Sequence, residues 1–286
     1  MSTDGGTNES GASRSDNDAR PSGSPSRTLE KGLQVLSLFD VTRPEWTLKD
    51  IREEAGLPKA TGFRLVKTLE NLRYLAYDAK SGTYHLGSAM MKAAYLTLSH
   101  SGLVRLAGPC VQALAESTTE TVDLAVWTDQ GSMIVHTVYT PRPFRPYNPP
   151  GMVMSGLTNV HSKIFVAFGP ESNWDKAIAE NVARTQYSIT DPDRLREELR
   201  KTRLEGIALG IEEHNLGMCA VGAPVFDGSG EARASLAVVA PSERFAPALR
   251  TEHARAVRDV AARLSAEVGY SGRSCVAAAP AGSSVD

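Results

Sequence analysis

Between positions 47 and 86 the hydrophobic spacing changes twice, and few folds accommodate that order of changes. "TLKDIREEA" carries apolar residues at helical spacing, with Thr47 a candidate N-cap and Asp50 at the capping-box position. Gly56 suits the end of this short helix, and Pro58 suits the first turn of a second helix running to about position 71. "YLAYDAKSGTYHLG" then alternates and turns at Lys80-Ser81-Gly82, which predicts a β-hairpin. Helix, tight turn, helix, hairpin is the winged helix-turn-helix arrangement.

In such a unit the second helix must show one face to the core and another outward. At about 100° per residue, Leu65, Leu69 and Leu72 share the inner face, with Thr61 on the same side. Lys59, Ala60, Phe63 and Lys67 point roughly opposite, and Arg64 lies on the flank. Residues 27–87 hold ten Lys and Arg against eight Asp and Glu, so net charge there is only +2. Placement carries the argument instead, because no acid occurs between positions 57 and 69. The outward face is therefore basic where phosphates and guanine acceptors of a major groove would lie. Thr47, Lys59, Thr61, Phe63, Arg64 and Lys67 are the candidate DNA contacts, and Lys80 in the wing is a candidate phosphate contact. A solvated basic face on a helical bundle accounts for the charges, but not for the capped first helix, the turn and the hairpin.

The 286 residues leave room for a second unit with a sizeable core. Residues 1–26 contain no Leu, Ile, Val or aromatic residue, so a disordered tail is expected there. A linker helix is expected over 88–102, the second domain over 103–270, and a flexible tail over 271–286. In the second domain a helix is expected over 106–117, "TVDLAVW" alternates through Val122, Leu124 and Val126, and "SMIVHTVY" follows as its neighbour. A Pro-rich loop spans 141–150. Helices are expected over 159–168, 172–183 and 191–204, strands at "GIALGI", "CAVGAPVF" and "ASLAVVA", and a closing amphipathic helix over 248–268. The class is α+β with a largely antiparallel sheet. No apolar run reaches the ~18 residues of a membrane helix, and no apolar leader precedes the first unit. Three scattered cysteines without a CxxC fit a reducing cytosol. A cytoplasmic protein with no membrane partner is the expectation.

"LEKGLQVLSLF", "TLKDIREEAGLPKATGFRLVKTL", "YHLGSAM" and "EEHNLGMCAVGAPVFD" together resemble the IclR-type bacterial transcriptional regulators, over about 27–269. The resemblance implies a winged-helix DNA-binding domain, a linker helix that dimerises, and a GAF-like effector domain. It also implies a homodimer or homotetramer on a double-stranded operator, repressing or activating in response to a small-molecule effector. Two residues depart from the pattern. Ala60-Thr61 stands where a Ser-Thr pair is usual, and Gly62 stands where a larger residue is common. The Met/Leu/Tyr pattern over 90–98 is the candidate dimer seam.

The resemblance places the effector pocket between the sheet and "MVMSGLTNVHSKIFVAF". Met154, Val160 and His161 fall at ligand-facing places, and Gly210 falls where an acid is frequent. Cys219 and Ala220 compete for one pocket position, their register open by one residue. Ala237 and Val239 stand where small-acid binders tend to use hydroxyls. These changes remove hydrogen-bond partners and add apolar surface, so an aromatic or otherwise hydrophobic effector is expected, with His161 as its polar anchor.

Other chemistries find less support. "EEH" at 212–214 lacks HExxH spacing and is read as a structural strand and loop, so no metal is assigned. No orienting third residue can be placed beside Cys219 and a histidine, so no catalytic residue is assigned. No GxxxxGK[ST] occurs, and no cofactor is expected. The alternative from another class is a small-molecule-binding or enzymatic domain with an N-terminal helical protein-interaction module.

Overall fold

The computed structural model describes residues 26–40, 42–100 and 102–271. The expected tails, 1–26 and 271–286, lie outside these residues except for Ser26 and Ser271. The chain divides into two compact units, one up to Met91 and one from Lys92.

The first unit contains α1 (Arg27–Leu36), α2 (Leu48–Glu54), α3 (Lys59–Asn71), β1 (Leu75–Asp78) and β2 (Thr83–Leu86). Thr47 caps α2, its hydroxyl accepting the Asp50 amide at 3.2 Å. Gly56 adopts φ +61°, the left-handed conformation that closes α2 without a Cβ penalty. β1 and β2 pair antiparallel, with Tyr77 opposite Tyr84, and Trp46 bridges to Tyr84. Val35, Phe39, Trp46, Ile51, Leu57, Val66, Leu75 and Tyr84 form the core.

Three local expectations shift. Pro58 caps α3 from outside, and the helix begins at Lys59. The inner line of α3 is Gly62 and Val66, flanked by half-buried Leu65 and Leu69. Leu72 is 60% exposed, because the helix has ended and helical projection no longer governs it. Gly62 has a packing reason: a Cβ there would lie 2.4 Å from Arg52 Cγ on α2. Its absence lets the two helices approach.

α4 (Ser88–His100) follows, then α5 (Gly102–Thr118), β3 (Thr121–Thr128), β4 (Gly131–Val138), β5 (Val153–Met154) and α6 (Val160–Phe168). α7 (Trp174–Ala179), α8 (Pro192–Glu205), β6 (Ala208–Ile211), β7 (Met218–Phe226), β8 (Ala232–Pro241) and α9 (Pro247–Glu267) complete the second unit. Six strands form one sheet in the order β5-β4-β3-β8-β7-β6, every neighbouring pair antiparallel. α7 is shorter than the helix expected over 172–183. Asn181, just beyond it, spends its side chain across the chain, accepting the Leu157 amide at 2.7 Å and donating to the Ile189 carbonyl at 3.0 Å.

Both sheet faces are covered. α5 and α9 pack over Val122, Leu124, Val221, Leu236 and Val238, while α6 sets Val160 and Ile164 on Ala208, Ala237 and Val239. This overturns the simple alternation expected of β3, where Thr121 to Ala125 are all buried. A strand covered on two sides has no solvent face to carry its polar residues.

Gly87 follows the hairpin with backbone on three sides. A Cβ would lie 2.3 Å from the Arg73 carbonyl oxygen, and neither chain segment can yield cheaply. Gly87→Ala is expected to cost the first unit roughly 1–3 kcal/mol, as overpacking does. Urea unfolding followed at Trp46 measures this. Gly32→Ala, in α1 with open space at its Cβ, is the control expected to be neutral or stabilising.

Candidate nucleic-acid interface and ligand cavity

The second helix of the helix-turn-helix presents the predicted side chains to solvent unevenly. Lys59, Ala60, Phe63 and Arg64 are exposed, Phe63 at 50%. Among the described residues neither Lys59 nor Arg64 takes part in an ion pair. Thr61 and Lys67 are half-buried, and Lys67 Nζ donates to Glu70 Oε2 at 2.8 Å. That hydrogen bond holds the Lys67 ammonium above its ordinary range. Thr47 is committed to its cap but keeps a hydroxyl proton to donate. Lys80 sits exposed in the β1–β2 turn, where its amide bonds Asp78 Oδ1 at 2.8 Å. Phe63 thus stands exposed between two cations that are outside any ion pair among the described residues.

The second unit holds a cavity of about 60 Å³ between α6 and the sheet. Cross-strand register builds its floor from one row: Gly210 opposite Ala220, Ala220 opposite Val239, Val239 opposite Thr121. Two positions in that row have little or no side chain, which leaves the space. A side chain at Gly210, where the resemblance has a frequent acid, would be tight, since a Cβ would lie 3.2 Å from Val160 Cγ1. Met154, Val160, His161, Gly210, Ala220 and Val239 all line the cavity.

Two expected residues are placed differently. Cys219 and Ala220 both border the cavity, with their side chains on opposite faces of β7. The Cys219 side chain packs in the core, and burial raises its thiol pKa. Ala237 is fully buried one row deeper, between Asp123 and Gly222, covered by Val160 and Ile164. It is a floor support, not a wall.

The cavity is more polar than its sequence suggested. Asp123 is fully buried, and loss of hydration pushes its pKa up to about 7 even though Asn148 donates to it. Asn148 Nδ2 bonds Oδ2, while Oδ1 has no partner. The Asn148 carbonyl in turn accepts from Thr137 Oγ1 at 2.7 Å, which pins the Pro-rich loop over the site. His161 Nδ1 meets Ser235 Oγ at 2.9 Å, its Nε2 is unpartnered, and burial drives its pKa down to about 3. His214 Nδ1 meets Thr158 Oγ1 at 2.9 Å, and burial followed by the Arg184 charge lowers it to about 4. Both histidines are thus neutral near pH 7. Glu213 accepts Lys163 Nζ at 2.7 Å through Oε1, leaving Oε2 unpartnered. Burial raises the Glu213 pKa despite that cation.

Asp123, Glu213, His214 and Thr158 were not among the expected site residues. "EEH" was read as a structural loop, and Asp123 as the polar half of an alternating strand. A usable signal did exist for Asp123. "CAVGAPV" and "SLAVVA" are continuous apolar runs, which mark strands buried on both faces, and a polar residue on their neighbour must then be buried too.

Comparison with known proteins adds two family profiles. Residues 95–266 match the one described as bacterial transcriptional regulator IclR C-terminal, and residues 28–79 match the IclR helix-turn-helix domain. The glycerol operon regulatory protein of Streptomyces griseus is 30% identical over 245 residues, covering 85% of this chain and 96% of that protein. Among solved structures, a transcriptional regulator of Alicyclobacillus acidocaldarius superposes with TM-score 0.77 at 23% identity, covering 86% of this chain and all of that one. An IclR homolog of Microbacterium hydrocarbonoxydans, complexed with 4-hydroxybenzoate, superposes with TM-score 0.72 at 20% identity, covering 84% and 98%. At these identities the two structures speak for the fold.

The buried carboxyl sets a pH signature. Its pKa rises from 3.8 to about 7 on folding, so its contribution to stability is fully present below 3.8 and is lost as pH climbs to about 7. The two histidines act in the opposite direction, so the clean readout is a difference. Asp123→Asn, measured against the parent by urea unfolding, is expected to gain relative stability between about pH 4 and about pH 8. A gap that stays constant with pH would show that Asp123 ionises as readily folded as unfolded.

Proposed function

The chain belongs to the IclR family of bacterial transcriptional regulators, and from its geometry we propose which residues grip DNA, how it assembles and where its effector sits. A ligand-responsive DNA-binding regulator of this kind needs a reading helix, a symmetric partner and a binding cavity. The reading helix is α3. Lys59 and Arg64, outside any ion pair among the described residues and beside exposed Phe63, are the observation that supports this most strongly. Arg64 reads a base, Lys59 and Lys80 meet phosphates, and Thr47 and Thr61 donate hydroxyl hydrogen bonds to the backbone. Lys67 contributes less, because Glu70 already occupies its ammonium.

The operator is double-stranded DNA, and the protein binds it as a homodimer or homotetramer in the cytoplasm, without catalytic activity. Exposed Leu29 and Leu33 on α1, and Met91 on α4 at 73% exposure, support a contact between copies, since such side chains favour burial against a partner. The effector occupies the cavity beneath α6. It acts by binding one arrangement of the DNA-binding pairs more tightly than another, and it shifts the balance by no more than that difference.

Gel-shift titrations against the DNA upstream of the chain's own gene, at two salt concentrations, test the interface. Arg64→Ala is expected to cost roughly 1–3 kcal/mol on the operator and to relax its sequence preference. Lys59→Ala is expected to weaken all sequences alike and to flatten the salt dependence by about 0.9 for each phosphate no longer neutralised. Lys67→Ala should flatten it less. An unaltered slope in Lys59→Ala would remove that residue from the interface.

A further inference from the structure

We propose that the cavity beneath α6 takes an uncharged polyol of about three or four carbons, whose hydroxyls satisfy Asp123 Oδ1, His161 Nε2 and Glu213 Oε2 while its carbons lie on Met154, Val160 and Val239. This rests on reading the chain as an effector-responsive regulator, and it narrows the effector's chemistry.

Three observations converge. The first is the set of unpaired atoms. Asp123 and His161 are at least 98% buried and Glu213 is 7% exposed, yet each leaves one polar atom without a hydrogen bond. All three residues line the same cavity. A buried polar atom left unsatisfied is costly, and a molecule bringing several hydroxyls removes that cost at three points. A hydroxyl can donate to a carboxylate and can either donate to or accept from an imidazole nitrogen, so it suits both histidine tautomers.

The second is charge. No Lys or Arg is among the residues lining the cavity. The nearby cation, Lys163, is spent on Glu213 at 2.7 Å and the Leu209 carbonyl at 2.9 Å. Both histidines lining the cavity are neutral for want of hydration. A carboxylate ligand would lose its water with no free cation among the lining residues to replace it. An ammonium ligand fares little better, because Lys163 already balances Glu213, and burial favours the neutral form of Asp123.

The third is size. Each water-sized group needs roughly 10–15 Å³ on this measure, so the cavity has room for on the order of five. Bonded atoms sit closer than waters, which brings a short polyol within reach.

Isothermal titration calorimetry on the full chain tests this with glycerol and erythritol, against pyruvate and 4-hydroxybenzoate as acids and ethanolamine as an amine. Saturable binding is expected for a polyol and absent for the acids and the amine. Asp123→Asn and, separately, His161→Ala are each expected to weaken glycerol binding about tenfold, the worth of one buried hydrogen bond. Silence with both polyols, or saturable binding of an acid or the amine in their place, overturns the proposal, and the parent protein alone decides the matter if a variant fails to fold. Gel shifts separate this from the regulator reading. A polyol that binds without changing operator affinity sustains the proposal while defeating effector control through this cavity. An acid that releases DNA while polyols stay silent does the reverse.

Discussion

A lysine ammonium buried to 1% exposure governs how the second unit is built. Lys163 projects from α6 and is held by Glu213, by the Leu209 carbonyl on β6, and at 3.7 Å by Glu198 on α8. Those contacts reach one helix, one strand and one loop. Removing water from an ammonium costs several kcal/mol, so every one of those partners must be in place at once. The placement of α6 over the sheet therefore follows from a charge as much as from apolar burial. With α6 fixed, Val160 and His161 stand at one wall of the cavity, and Glu213 and His214 stand at the other.

The same arrangement explains why polar atoms remain unpaired next to a well-packed core. Gly210 and Ala220 withhold side chains from the floor, while Val160 and Ile164 seal the row beneath over Ala237. The result is a small space lined by apolar side chains together with Asp123, His161, Glu213 and His214. Its carboxyl and its two neutral histidines owe their shifted titration to burial before any other cause. An occupant that binds there repairs these costs, and it favours one state of the protein only by as much as that repair differs between the states. The outward face of α3, the proposed DNA contact, obeys the opposite logic: Lys59 and Arg64 are exposed and outside any ion pair among the described residues, which leaves them available to phosphate and base edges.

Much of this was legible in the residues. Thr47, Gly56 and the Lys80-Ser81-Gly82 turn announced the first unit because caps and turns are local events, decided within a few positions. Most helices and strands of the second unit followed from periodicity in the same way; short β5 was not expected, β3 does not alternate in burial, and α7 is shorter than expected, with Asn181 beyond it claimed by residues distant in sequence. The cavity was half legible. Family resemblance led to Met154, Val160, His161, Gly210, Ala220 and Val239. It missed Asp123 and Glu213, whose importance arises from coverage of both sheet faces and from a lysine fifty positions away in the chain. Long-range burial of a charge leaves no periodic trace. Parity along a strand could not separate Ala237 from Val239 either, because both face α6.

The dependence on Lys163 is best measured by a double-mutant cycle in urea. Lys163→Met and Glu213→Leu are each expected to cost roughly 3–5 kcal/mol, since each strands the other charge, while the double variant loses far less. That outcome puts the coupling well above the ~0.5 kcal/mol of independent sites. Losses that simply add would mean that the ion pair is incidental and that α6 is placed by its apolar face alone.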